Sequence, residues 1–443
     1  ILSILNNFNM KMKLPLPKAP IKQQINKNNI AQLNQKLNQF STQFKHATAQ
    51  GNYLEAYKAV SQVVKLVPHH AVVMMDLAFT ELRLQRYEDA YEHYQQAIQL
   101  SPNKVDTNIY DGLAEVCHFL NKIDDLKKYG RLAIESKKKQ VQEHAVVTLL
   151  AEAPSPFNPE NPSENIIAFS LFGANPRYCE TSVINVDLAK EIYPDWICRF
   201  YVDDSVPQDV VQRLREKGAQ IIVVNEQQRQ ISGLFWRFLV MDDPTVKRFL
   251  IRDADSLVSY REQAAVNAWL ESDCWFHVMH DYYSHTELIL AGMWGGCQGG
   301  VNDVEKHIQQ FLNTGNYLNS RVADQHFLRF CIWPILKQSV LNHDSHHFDE
   351  NSVDFPQSDR YKDYETQAQF HVGMNEGSSK IVIHDLKHEQ IFWAIYNQEQ
   401  QQICRYLAPT CAGQLEIDMP RFYAKQIEKQ NWKVEVHPVE NID

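Results

Sequence analysis

A repetition limits what the first third of this chain can become. Tyr53 and Tyr87, Ala56 and Ala90, and Pro68 and Pro102 each recur 34 positions apart. A period of that length describes a helix-turn-helix unit, which buries its apolar face only by stacking on a copy of itself. The second unit carries the fuller pattern, with Leu77 and Ala78 on its first helix, Tyr87, Ala90, Tyr94 and Ala97 on its second, and Pro102 beyond. Small residues let helices approach and aromatics fill the gaps between neighbours. A third unit, with Gly112, Leu113, Ala114, Ile123, Tyr129 and Ala133, slips in register by about two residues. Three units are the number at which such a stack becomes stable.

The pattern resembles the tetratricopeptide repeat, and the domain is expected over residues 37–150 after an N-terminal extension, 1–36. The resemblance implies a concave surface for a protein segment or another subunit; helices that only support the next domain or a dimer fit the same residues. Because Met10 follows nine residues and precedes Lys11 and Lys13, the start reads as an upstream extension without a signal peptide.

Pro154, Pro156, Pro159 and Pro162 then interrupt the chain, and proline both fixes φ and removes a backbone donor. Residues 151–164 are therefore a linker. Beyond it, strand-like runs at Ile166 to Phe172, Trp196 to Val202 and Ile221 to Val224 alternate with helical ones, an order that implies a mostly parallel sheet covered on both faces.

The apolar run Phe249-Leu250-Ile251-Arg252 ends abruptly in Asp253-Ala254-Asp255-Ser256. Such a run reads as a buried strand, and in α/β sheets ligands bind at strand ends. Two carboxylates one residue apart are costly to bury without a cation, and Mg2+ or Mn2+ takes oxygen ligands while leaving positions for phosphate oxygens. Alone, Asp-x-Asp is a weak signal that a solvated turn or a helix cap also explains.

Context strengthens it. A strand ending in Asp203-Asp204-Ser205, then Asp-x-Asp, then the small-residue segment Ile289 to Gly296, Asp324-Gln325, and the late histidines His343, His346 and His347 together resemble a nucleotide-sugar glycosyltransferase of the GT-A fold over residues 165–375. The expected class is thus α/β, with all-α tetratricopeptide repeats followed by a GT-A-like, Rossmann-like, mostly parallel sheet domain. Residues 376–443 form an α/β segment expected to pack on it. The resemblance implies a Mn2+ or Mg2+ ion, a nucleotide-sugar donor (a UDP-sugar foremost), and a saccharide, lipid-linked glycan or protein acceptor. The alternative is a non-catalytic scaffold with a degenerate transferase-like domain.

By the same resemblance the metal falls to Asp253 and Asp255, with His343 or His346 completing the set, although His371 competes. Phe172, Asp203, Arg237, Arg252 and Asp253 are assigned to the nucleotide. Three have a plainer reading: Arg252 an ion pair with Asp253, Arg237 packing on Trp236, and Asp203 part of a helix cap at Asp204-Ser205 ahead of Pro207. Asp324 is a general base, a sugar-hydroxyl acceptor or a helix cap, and Asp281 at a strand end is the second catalytic candidate. Gly292 and Trp294 are placed on the acceptor side, with Trp294 either a sugar-stacking platform or core.

The remaining composition is ordinary: 44% hydrophobic and 22% charged residues, enough for a core. A formal charge of −10 argues against a nucleic-acid partner, which needs a basic footprint. The eight cysteines form no Cys-x-x-Cys pair, and no apolar run approaches the ~18 residues of a membrane span. The expectation is a cytoplasmic protein, with a peripheral position at the inner membrane face compatible.

Overall fold

The computed structural model describes residues 27–141, 153–315, 322–377 and 379–439. Residues 1–26 of the expected extension and residues 151–152 of the linker lie outside them. The chain divides into two compact units.

Among the described residues the first unit has six helices: α1 (Lys27–Ala49), α2 (Tyr53–Leu66), α3 (Ala71–Arg83), α4 (Tyr87–Gln99), α5 (Thr107–Phe119) and α6 (Ile123–Val141). They pair as three helix-turn-helix units. The second helices begin at Tyr53, Tyr87 and Ile123, so the third is displaced by the two residues read from the sequence. The first helix starts at Lys27, ahead of the expected Leu37. The glycine and the aromatics interlock as the composition requires. Tyr94 lies flat against Gly112, where a Cβ would come within 2.2 Å of its ring.

Two excursions of the later chain, 282–288 and 346–352, belong to this unit. On the last helix pair, Asp111 accepts hydrogen bonds from Thr286 Oγ1 (2.7 Å) and Lys137 Nζ (2.6 Å). The Tyr283 ring stacks on His118 at 3.9 Å, and Phe348 occupies the space that the absent side chain of Gly130 leaves.

The second unit is built on a seven-stranded sheet: β1 (Asn165–Leu171), β2 (Ile197–Val202), β3 (Gln220–Val223), β4 (Arg248–Arg252), β5 (Phe276–His280), β6 (Met293–Cys297) and β7 (Val340–Asp344). Their order is β3-β2-β1-β4-β6-β5-β7. The pairs β2–β3, β1–β2, β1–β4 and β5–β7 are parallel, whereas β6 runs antiparallel to both β4 and β5. The sheet is therefore mixed, with the antiparallel β6 set among the parallel pairs of a sheet expected to be mostly parallel. The small-residue segment lies close to its neighbours there: a Cβ on Gly295 would stand 2.7 Å from the Phe249 carbonyl oxygen, and one on Gly296 2.7 Å from the rings of Phe249 and Phe276. Only a glycine-bearing strand fits between those two.

Helices α7 (Pro176–Ile192), α8 (Gln208–Glu216), α9 (Tyr260–Leu270) and α10 (Val304–Asn313) make the βα connections. After the sheet, β9 (Gln390–Tyr396) is flanked by β10 (Gln402–Pro409) and β12 (Lys433–Pro438), and β8 (Ser379–Ile383) pairs with β11 (Leu415–Met419) ahead of α11 (Arg421–Glu428). Strands β6, β7, β10 and β11 are not among those read from the sequence. One buried carboxylate ties this segment to α7. Glu180, fully buried, accepts both arms of the Arg213 guanidinium (2.7 and 2.9 Å) and the hydroxyls of Tyr406 and Tyr423. Breaking a buried pair costs about 3–5 kcal/mol, because the surviving charge is left desolvated. Glu180→Ala should therefore lower unfolding free energy by roughly that amount in denaturant titration, and a loss below about 1 kcal/mol would contradict this role.

Candidate functional site

Strands β1, β2 and β4 are parallel, so their C-terminal ends share one edge of the sheet, where the chain has to turn. Phe249, Leu250 and Ile251 of β4 are all buried, and the first residues to escape the sheet are Asp253 and Asp255. The chain beyond is held by Asn185 of α7, which donates to the Ser256 carbonyl (2.7 Å) and accepts from Val258 N–H (3.0 Å).

Each carboxylate is met by an arginine through one oxygen. Arg237 comes from the short helical run Gly233–Asp242, which is pinned to β1 by a hydrogen bond from its own N–H to Ser170 Oγ (2.9 Å). Its guanidinium is 5% exposed and spans two acids, Asp253 Oδ1 and Asp324 Oδ2 (2.9 Å). Arg177, at the start of α7 where Asn175 caps and Pro176 opens the helix, donates to Asp255 Oδ2 at 2.7 Å. Among the described residues, no other residue donates a hydrogen bond to the second oxygen of Asp253 or of Asp255. Burial, and then the neighbouring charge of Asp253, push the Asp255 carboxyl above its usual range even with Arg177 beside it. The pair still favours a cation.

Gly292 explains how the Asp253 side chain is seated. A Cβ there would stand 2.0 Å from Asp253 Oδ2. The glycine is thus a close neighbour of Asp253.

Asp324 is buried, and both of its oxygens are engaged, one by Arg237 and one by the Gln325 N–H (3.0 Å) at the head of its short helix. Desolvation raises its carboxyl, while Arg237 opposes that. Phe172 follows β1 with its ring 43% exposed, edge-on to Trp236 and over Gly233. Asp203, at the end of β2, accepts from the N–H and hydroxyl of Ser205, whose Oγ in turn accepts from Gly173 N–H (2.6 Å). This ties the two loops together.

Several expected residues are placed elsewhere. Arg252 turns into the interior, where it pairs with Glu262 (3.0 Å) and donates to the Trp294 carbonyl (3.1 Å), out of reach of a phosphate. Asp281 is a structural anchor, gripped by two arms of Arg261 (both 2.8 Å), by Ser345 and by Val372 N–H (2.9 Å). Trp294 is wholly buried between Phe249 and Phe238, so it offers no face to a sugar. His343 lies on β7, three strand spacings from β4, or about 14 Å. It hydrogen-bonds His277 (2.8 Å), and burial holds both imidazoles below their usual range, His343 at about 4. His346 belongs to the segment 346–352 of the helical unit, its ring stacked on Phe348. Among the described residues no three His, Cys, Asp or Glu side chains gather as a metal cage, so neither histidine completes a set with the aspartates. Arg177 is the functional candidate that sequence reasoning missed. Asn-Pro-Arg marks a helix start, but nothing local says that its third residue faces a strand 78 positions away.

A family model described as tetratricopeptide repeat matches residues 71–104. Those residues are a tetratricopeptide repeat. Solved structures with similarity include the second TPR domain of human RPAP3 with an HSP70 peptide, at 17% identity over 24% of this chain and 87% of that one, TM-score 0.22. The TPR2B domain of yeast Sti1 has the same identity, coverage of this chain and TM-score, and is covered over 82% of its length. A mutant O-GlcNAc transferase of Thermobaculum terrenum is 14% identical over 43% of this chain and 42% of that one, TM-score 0.24. A search of curated proteins returns no match. No helix of the described residues is long and apolar enough to cross a membrane.

A Cβ at Gly292 would meet the Asp253 carboxylate and, at 3.0 Å, the Asp253 backbone nitrogen, so Gly292→Ala has to disturb the Arg237–Asp253 ion pair. It is expected to lower unfolding free energy by roughly 1–3 kcal/mol in denaturant titration, and unchanged stability would show that the close approach carries no energetic consequence.

Proposed function

We propose that this chain is a metal-dependent glycosyltransferase of GT-A type that takes a sugar from a nucleotide-sugar donor. The observation that carries the reading is the carboxylate pair itself. Asp253 and Asp255 stand at the end of a buried parallel strand, each with one oxygen left over after its arginine is satisfied. Two free carboxylate oxygens suit an ion such as Mn2+ or Mg2+, which binds through one or two carboxylates and takes its remaining oxygens from substrate phosphates and water. The residues present fit that ion without a histidine. When bound, it would supply Lewis-acid stabilisation of the charge growing on the departing diphosphate.

The other residues follow from their positions. Asp324 is a positioning residue, since it fixes the guanidinium that orients Asp253. Arg177 and Arg237 hold the carboxylates apart and add positive charge where a diphosphate would sit. The exposed ring of Phe172 offers a face to a nucleobase, a uracil foremost, and Asp203 an acceptor for a ribose hydroxyl. The acceptor is a saccharide, lipid-linked glycan or protein, and the repeats present a surface for a protein partner or a second copy. A second reading, a scaffold with a degenerate site, is favoured by the two arginines that already compensate the aspartates.

Thermal unfolding separates the two. A ligand that binds only the folded state adds about 2.7 kcal/mol at roughly a hundredfold excess over its Kd. We expect a stabilisation that needs both Mn2+ and one nucleoside diphosphate and is absent in Asp255→Ala. No shift with any nucleotide would favour the scaffold.

A further inference from the structure

A cleft of about 570 Å³ opens in the second unit, within the size range of small-ligand sites, roughly 300–1,000 Å³. Its apolar wall is Ile184 and Leu188 of α7 with Leu257, two residues beyond Asp255. The opposite wall is α11 and the residue after it, which place Arg421, Lys425 and Lys429 at i, i+4 and i+8, on one helix face. Tyr361 and Phe422, both lining residues, are large rings left in solvent.

The charges are unevenly matched. Arg421 gives its guanidinium to the backbone carbonyls of Glu376 (2.6 Å) and Asn375 (3.3 Å), so it meets no carboxylate, and Lys362 is paired with Glu191. Lys425 and Lys429 have no ion-pair partner among the described residues. Two acids also line the cleft, Asp363 and Glu376, and one oxygen of the latter already accepts the Phe422 N–H (2.7 Å). Glu376 further connects the cleft to the site described above, because its N–H donates to the Asp255 carbonyl at 2.7 Å. The segment that forms the cleft wall is thus the segment that packs on the Asp-x-Asp turn, through this bond and the Ser256–Asn375 bridge.

We propose that this cleft is the acceptor subsite and that it takes a carbohydrate bearing carboxylate groups, whose rings pack on Tyr361 and Phe422 while Lys425, Lys429 and Arg421 receive the charge. This deepens the transferase reading and rests on it. Cations beside aromatic faces match the two surfaces of an acidic sugar, and neither group alone has that complementarity.

The test is calorimetric titration of the full chain with a trimer of galacturonic acid, with maltotriose as the neutral counterpart and inorganic phosphate as the bare anion. The acidic trimer should bind at least about tenfold more tightly than either, weaken as salt screens the charges, and lose roughly tenfold or more in Lys425→Glu/Lys429→Glu, an exposed pair whose folding is checked by its melting curve. Equal affinity for maltotriose, equal affinity for phosphate, no binding of the trimer, or an unaltered Kd in a folded variant would each overturn the proposal. Titration of a nucleoside diphosphate with Mn2+ reports the donor site separately. If it binds while the trimer does not, only the acceptor assignment falls; if it fails to bind wild type, the transferase reading falls with it.

Discussion

Everything at the edge of the sheet depends on how three carboxylates are kept together. Asp253, Asp255 and Asp324 converge on the end of β4, and a concentration of negative charge with restricted solvent is unfavourable unless cations are built in. Arg237 answers for two of them from a buried position and Arg177 for the third. The solution is incomplete by design of the geometry: each member of the Asp-x-Asp pair keeps one uncommitted oxygen, and Asp255 remains harder to ionise than a free carboxylate. A divalent ion bridging to a diphosphate would finish the neutralisation. Binding energy and site formation would then be the same event.

The scaffold serves that arrangement. Glycines at 292, 295 and 296 let β6 lie antiparallel between β4 and β5 and let Asp253 settle against the backbone. Beneath the site, a second layer of buried ion pairs does quieter work. Arg252 with Glu262 and Arg261 with Asp281 join α9 to the strands, and Glu180 joins the C-terminal strands to α7. Sequence neighbours thus have opposite fates: Arg252, the last residue of β4, is buried against Glu262, while Asp253, just beyond the strand, is partly exposed. The helical unit takes in the chain directly after Asp281 and again after Ser345, so two loops of the later sequence are built on repeat helices.

Much of this was legible from periodicity. The 34-residue spacing located the repeat pairs and even the slip in the third, and the apolar runs located β1 to β4 to within a residue or two. What was not legible is what depends on partners distant in sequence. The strand β7 was hidden because Val340-Leu341-Asn342-His343-Asp344 has polar residues that satisfy one another across the sheet, His343 with His277 and Asn342 with His280. Those histidines therefore looked like ligands. Asp281 and Trp294 likewise sat at the ends of plausible motifs, and only tertiary packing assigns them to the interior. Asp253 and Asp255 stood out because paired carboxylates are unusual at a strand end, and one guanidinium, that of Arg237, joins Asp253 to Asp324.

The most direct measurement is turnover of the donor. The purified full chain, supplied with Mn2+ and a panel of nucleotide sugars, should release nucleoside diphosphate from one of them, detected by chromatography, with release falling by orders of magnitude when Asp255 is replaced by Asn. Release from none of the donors, with and without an acidic oligosaccharide as acceptor, would contradict the account of these carboxylates as a sugar-transfer site.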